Sequence, residues 1–195
     1  MHSCIKCLVF STAMMGLFLL AGSSRAQFQL DSGYLTFNAA YTSAKLKDYN
    51  KTIDGGAAGV AYEMTLGGQP VSFGFSVGYQ AGEEGFTYEG EQARAEFTSW
   101  PVALTGRYFF GRDRIVLYIG LGMGVSFSSL EVTVGDEFKA LSNTNISLGV
   151  PLGAYIFLSQ RVYINLNYTP YWVDSQLLDG LTHIGTLGLG FQFPN

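Results

Sequence analysis

Residues 71–80 read Val-Ser-Phe-Gly-Phe-Ser-Val-Gly-Tyr-Gln. Val71, Phe73, Phe75, Val77 and Tyr79 alternate without interruption with Ser72, Gly74, Ser76, Gly78 and Gln80, so an extended chain here has one large apolar face and one small polar face. A helix would scatter these residues around its axis, whereas a period of two lines each set up on one side of a strand. The same pattern returns in 115–128, where Leu117, Ile119, Leu121, Met123, Val125 and Phe127 alternate with Tyr118, Gly120, Gly122, Gly124 and Ser126. Weaker copies lie at 34–42, 58–66, 100–108, 145–157, 162–169 and 182–193, which makes eight expected strands and an all-β chain.

The connections alternate between two lengths. Tight turns are expected at 67–70, 111–114 and 158–161, and longer polar loops at 43–57, 81–94, 129–144 and 170–181. Short turns at one end and long loops at the other are the habit of antiparallel up-and-down barrels in outer membranes. Water-soluble barrels alternate as well, with the apolar face turned inward, so the composition of the second face has to identify the solvent. That face is mostly Gly, Ser, Thr, Ala and Asn rather than Lys, Glu, Arg and Asp. Such residues suit the cramped interior of an eight-stranded barrel, with the aliphatic face turned to hydrocarbon. A closed barrel also pairs every backbone N–H and C=O, which a bilayer demands. Aromatics collect at the expected strand ends, with Tyr41, Tyr79, Phe127, Tyr168, Tyr171 and Trp172 at one level and Phe73, Tyr108, Phe191 and Phe193 at the other, the positions of two interfacial girdles.

Residues 1–26 read as a cleavable signal peptide, with Lys6, an apolar run at 8–21, and Ser24-Arg25-Ala26 before a cut between Ala26 and Gln27. The apolar run is shorter than the roughly 20 residues that a membrane-spanning helix needs. Residues 27–195 are then the barrel domain. Cys4 and Cys7 both fall in the signal segment, so thiol, disulfide and thiolate-metal chemistry is not expected of the mature chain. Loss of Lys6 and Arg25 leaves nine basic against 15 acidic residues, a net charge of −6 that argues against nucleic acid as a partner.

On these features the chain resembles the small outer-membrane β-barrel superfamily of Gram-negative bacteria, the group of the OmpA, OmpX and OmpW barrels. The resemblance is carried by the eight alternating segments, by Trp100-Pro101-Val102 through Arg107-Tyr108-Phe109-Phe110, by Tyr118-Ile119-Gly120-Leu121-Gly122, and by the last strand Leu187-Gly188-Leu189-Gly190-Phe191-Gln192-Phe193. It implies a multi-pass barrel in the cell outer membrane with both termini periplasmic, surrounded by lipid and lipopolysaccharide. It also implies that Phe191 and Phe193 serve as the strand signal read by the outer-membrane assembly machinery. Family members usually end on the aromatic residue itself, whereas here Pro194 and Asn195 follow Phe193.

Ionisable residues with inward parity are the first candidates for a site, because burying a charge is costly unless it is paired. Glu63 and Arg107 each lie a few residues from a tight turn and are expected to form a lumenal ion pair, either structural or gating. Asn38, Tyr118, Tyr155, Asn165, Asn167 and Gln192 share their parity and complete an expected polar plug. Pro101, Pro151 and Pro170 are expected to bulge, bend or end strands, since proline donates no ladder hydrogen bond. His183 has Gly185 two residues on, where a lipid-deacylating barrel enzyme would carry a serine nucleophile, so it reads as an interfacial histidine.

The charges at 45–54, 83–96, 131–139 and 174–179 sum to −7 and those of the tight turns to +2, giving an acidic outer rim. That rim either shares divalent cations with lipopolysaccharide phosphates or is simply solvated. Phe86 and Tyr88, in the second long connection, either touch a partner or cap the barrel mouth. No catalytic set, cofactor or metal site is expected, and a monomer is. The function these features support is a non-enzymatic integral outer-membrane barrel with a structural or surface-interaction role, its lumen plugged by polar side chains. The alternative is a narrow porin-like channel for small solutes, with a lipid-modifying enzyme behind it.

Overall fold

The computed structural model describes Gln29 and residues 32–47, 51–88, 90–111, 114–176 and 178–194, apart from the side chains of 179 and 194. The expected signal segment, with Ala26 and Gln27, lies outside the described residues. Nine strands follow in order: β1 Ser32–Leu46, β2 Thr52–Thr65, β3 Val71–Tyr88, β4 Glu91–Phe110, β5 Ile115–Val134, β6 Glu137–Gly149, β7 Leu152–Phe157, β8 Val162–Asp174 and β9 Leu178–Pro194. Each pairs antiparallel with its neighbours, and β1 pairs with β9 from Ser32↔Pro194 upward, which closes the sheet into a ring. Strands β6 and β7 together form one stave, so the barrel has eight staves.

The break in that stave falls at Val150-Pro151. It is no bulge, because the Gly122↔Gly149 pairing below it in sequence and the Ile119↔Leu152 pairing beyond it keep one register. Proline has lost its N–H but not its carbonyl, and Pro151 O still accepts from Gly120 N at 2.8 Å. Pro101 likewise keeps its pairing with Ser126, and Pro170, expected to end a strand, sits inside β8 opposite His183. The register does shift on the β1–β9 seam, between Ala44 and Leu46.

The four expected long loops are corrected by the structure. Strands β3 and β4 run on to Tyr88 and Glu91, and β5 and β6 to Val134 and Glu137, so most of 81–94 and 129–144 is sheet. These hairpins close through Gly90 and Gly135, whose φ values of 90° and 55° suit glycine at tight reversals. Strands β1 and β2 similarly reach Leu46 and Thr52, and β8 and β9 reach Asp174 and Leu178.

The wall changes solvent along its height, and the sequence changes phase with it. On β5 the outward residues from Ile115 to Phe127 are apolar and exposed, Leu121 by 66%, while beyond them the apolar residues are the inward Leu130 and Val132, buried to 2%. On β4 the same inversion separates outward Trp100, Val102 and Leu104 from inward Ala93, Ala95 and Phe97. A tube that stands first in hydrocarbon and then in water must exchange its apolar and polar faces at the boundary. The boundary is marked by Tyr79 and Trp100, whose rings lie 4.8 Å apart, and by Phe127, paired with Trp100 across the sheet. Tyr41, Tyr168 and Trp172 are exposed at the same end, whereas Tyr171, expected in this girdle, faces the lumen beside Asn167 and Thr169.

Candidate functional site

The lumen is layered. Nearest the tight turns, Tyr34, Phe109, Val116, Tyr118, Tyr155, Phe157 and Tyr163 are all buried in one aromatic cluster. Their strands bring inward positions from five staves to one level, where rings from different staves meet. Tyr155 and Tyr163 lie 4.6 Å apart, and Tyr34 stands edge-on to Tyr163 at 5.8 Å. Room for rings this large comes from glycine opposite them: a Cβ at Gly190 would strike the Tyr163 ring, and one at Gly153 the Tyr118 hydroxyl and the backbone carbonyl of Leu166.

Glu63 of β2 and Arg107 of β4 sit on this cluster. Arg107 donates to Glu63 Oε2 at 2.5 Å and to the Tyr155 hydroxyl at 2.6 Å, and Tyr155 donates to the same carboxylate oxygen at 3.2 Å. The guanidinium carbon lies 4.7 Å from the centre of the Tyr118 ring, and Tyr118 donates to Asn165 Oδ1 at 2.7 Å. The two charged side chains are 10% and 5% exposed, so their attraction acts with little solvent screening. Asn38 and Asn167 line the cavity above the pair, with Asn167 donating to Thr169 Oγ1 at 2.9 Å. Gln192 is buried lower down, away from the cavity lining, and its side-chain amide finds no protein partner among the described residues.

A second polar layer lies above the cavity. Asn145 donates to Ser128 Oγ, and Ser128 to Ser99 Oγ, each at 2.9 Å, tying β6, β5 and β4 together. Above that comes a wholly apolar layer of Ala44, Leu46, Ile53, Ala95, Phe97, Leu130, Val132 and Leu178, with Phe86 packed against it. The expectation of a lumen filled by polar side chains missed this layer and the rings of Tyr34, Phe109, Phe157 and Tyr163. The phase inversion in β1, β4 and β5 was the signal that pointed to the apolar layer.

Outside the lumen, His183 Nδ1 is 2.6 Å from the Tyr168 hydroxyl and the two rings stack, both exposed. Among the described residues no group of three or more His, Cys, Asp or Glu is placed to hold a metal ion. On the strand extensions Glu83, Glu96 and Glu131 stand side by side on β3, β4 and β5, and Arg94 reaches Glu83 at 2.6 Å and Glu96 at 3.1 Å. Phe191 and Phe193 point outward from β9, on the face that meets hydrocarbon.

The fold and its outward apolar belt define a small transmembrane β-barrel. Residues 11–193 match the family model described as the outer membrane protein beta-barrel domain, and the chain belongs to that family. It is therefore a multi-pass barrel of the cell outer membrane, as Gram-negative bacteria have. Neisserial surface protein A is similar in structure at 18% identity, with 84% of this chain and 97% of that one aligned and a TM-score of 0.55. The Yersinia pestis attachment invasion locus protein, Ail, aligns over 84% and 99% at 17% identity and a TM-score of 0.56. The Pseudomonas aeruginosa outer membrane protein OprG aligns over 86% and 98% at 10% identity and a TM-score of 0.58. No curated protein sequence matches the chain.

Proposed function

We propose that this is a closed, non-enzymatic barrel that braces the outer membrane and presents its strand extensions at the cell surface, with the tight turns and both termini on the periplasmic side. The observation that carries this reading is the double obstruction of the lumen. The aromatic cluster with Glu63 and Arg107 fills one end, and the aliphatic layer around Leu46, Phe97 and Leu130 fills the other. A conducting path needs a continuous wet route, and an aliphatic constriction opposes one by dewetting. An enzymatic reading finds no support at His183, whose partner is a tyrosine hydroxyl and whose strand carries Gly185 where a nucleophile would stand.

The surface it presents is acidic. The Glu83, Glu96 and Glu131 row would meet lipopolysaccharide phosphates only through shared divalent cations, and it disfavours a direct polyanion contact. Ail has been crystallised with the heparin analogue sucrose octasulfate, and the acidic wall here argues against carrying that ligand class over. Assembly through Phe191 and Phe193 and a monomeric state complete the proposal.

A second reading, a narrow pore gated by Glu63 and Arg107, is favoured by the cavity that rests directly on that pair. Single-channel recording in planar bilayers separates the two. Silence from the wild type and from Arg107→Ala supports the closed barrel; discrete steps in the wild type, altered by Arg107→Ala, would replace it with the gated pore.

A further inference from the structure

The inward residues nearest the tight turns are the ones that a bare barrel would leave open to water. Ser32 begins β1, Ser72 is the second residue of β3 and Gln192 lies near the end of β9, yet Ser32 and Ser72 have no exposed surface and Gln192 only 1%. This mouth is therefore covered. One contact shows by what: the Tyr34 hydroxyl, on the inward face of β1, donates to the backbone carbonyl of Gln29 at 2.6 Å. Five residues of extended chain cover about 16 Å, far more than a tyrosine side chain reaches, so Gln29 does not stand in line with β1. It lies across the mouth, below the Tyr34 ring. The strand is fastened where the chain enters it, since Ser32 N donates to Thr65 Oγ1 at 2.9 Å and Thr65 Oγ1 donates to Ser32 O at 3.2 Å, which ties the start of β1 to the end of β2.

We infer that the stretch of chain ahead of β1, pinned at Gln29, is a stopper seated in the turn-side mouth of the barrel. The wall of that mouth has the chemistry to hold peptide backbone. Gln192 is buried, and neither its Nε2 nor its Oε1 has a partner among the described residues; the same is true of Ser72 Oγ. A carboxamide offers a donor and an acceptor side by side, which is what a peptide group can answer with its own C=O and N–H. An apolar filler would leave the carboxamide unpaired, which buried polar groups rarely tolerate. Above the stopper the Tyr34, Phe109 and Phe157 rings provide an apolar surface to rest on. Because the segment belongs to the same chain, seating it orders a few residues and captures no free peptide, so even a few contacts can hold it. Placing this mouth in the periplasm rests on the orientation proposed above; the stopper itself does not.

The test is thiol labelling of the protein refolded in detergent micelles. The chain from residue 27 on has no cysteine, so Ser32→Cys supplies a single thiol at the foot of the lumen and leaves the backbone bonds to Thr65 in place. Ser72→Cys repeats the reading from β3 should the first variant fail to fold. With the segment intact, a charged thiol reagent is expected to label either thiol slowly. Tyr34→Phe keeps the ring and removes only the hydroxyl that holds Gln29, and it is expected to speed labelling about two- to tenfold, the equilibrium worth of one hydrogen bond. Deletion of residues 27–30 is expected to speed it further. Ala95→Cys, in the apolar layer at the other end of the lumen, reports any general loosening and should stay protected in every background. Fast labelling of Ser32→Cys with the segment intact, an unchanged rate after the deletion, or a matching rise at Ala95→Cys would overturn the stopper. Ion steps in a planar bilayer would refute the closed barrel and leave this result standing, because thiol labelling reports access to one mouth and not conduction.

Discussion

Arg107→Ala should be among the most damaging single substitutions in the barrel, and much of the cost of losing the guanidinium should disappear when Glu63 is neutralised as well. The Glu63 side chain is 5% exposed, and Arg107 is its cationic partner at 2.5 Å. Removing one member of such a pair strands a buried charge at a cost of about 3–5 kcal/mol. Loss of the guanidinium from the Tyr118 face, 4.7 Å away, adds up to about 2 kcal/mol. The Tyr155 hydroxyl stays 3.2 Å from Glu63 Oε2 and offsets part of this, so a net loss of about 3–5 kcal/mol is expected. The paired replacement Glu63→Gln with Arg107→Met leaves no charge to strand, and because the desolvation of an ion pair largely cancels its attraction it should cost under about 2 kcal/mol. Equilibrium urea unfolding from detergent micelles, followed by the shift of the folded and unfolded bands on unheated gels, measures all the variants. With Arg107→Met and Glu63→Gln as the single variants that close the cycle, a coupling energy of at least about 2 kcal/mol between the two sites is the expected result. A loss below about 1 kcal/mol for Arg107→Ala, or strict additivity in the double replacement, would show that the pair is not the buried brace described.

Two more outcomes follow from the phase of the wall. Leu121→Arg places a charge midway along the outward apolar run of β5 and should cost about 2–4 kcal/mol in bilayer refolding assays. Leu121→Ala should cost little by comparison, whereas Leu130→Ala, further along the same strand, should lose about 2–5 kcal/mol because it opens a void in the apolar layer inside the barrel. Equal losses for the two alanine variants would refute the inversion of faces between Phe127 and Leu130.

The barrel was legible because a period of two survives any local detail. Once Val71 to Gln80 alternates a bulky face with a small one, the solvent is constrained by which face lacks charge, and the number of staves by counting repeats. Inward parity alone brought Glu63, Arg107, Tyr118 and Tyr155 to attention, and the structure brings these four side chains into contact. Parity names a face and not a height, which is why Gln192, on the same face, ends up apart from the cavity that Asn38 and Asn167 line.

The loops were harder to read because their residues are polar on the outward side, like any surface loop, and because apolar Leu130, Val132, Ala95 and Phe97 fall out of phase with the apolar residues of the membrane segment. Read as one pattern, the alternation fails at these positions; read as two, it continues inverted. Proline misled in the opposite direction, since Pro151 and Pro170 interrupt donors while the registers on both sides hold through the surviving carbonyls.

The sequence by itself therefore determined the architecture, the membrane-facing side and the charged pair, because alternation and the cost of burying charge are properties of neighbouring residues along one strand. Only the tertiary structure decided that the extensions close into sheet, that aromatic and aliphatic layers bound a cavity, and which inward side chains line it. Those depend on the stagger between staves, which sets which inward side chains from different strands share a level, and no single strand carries that information.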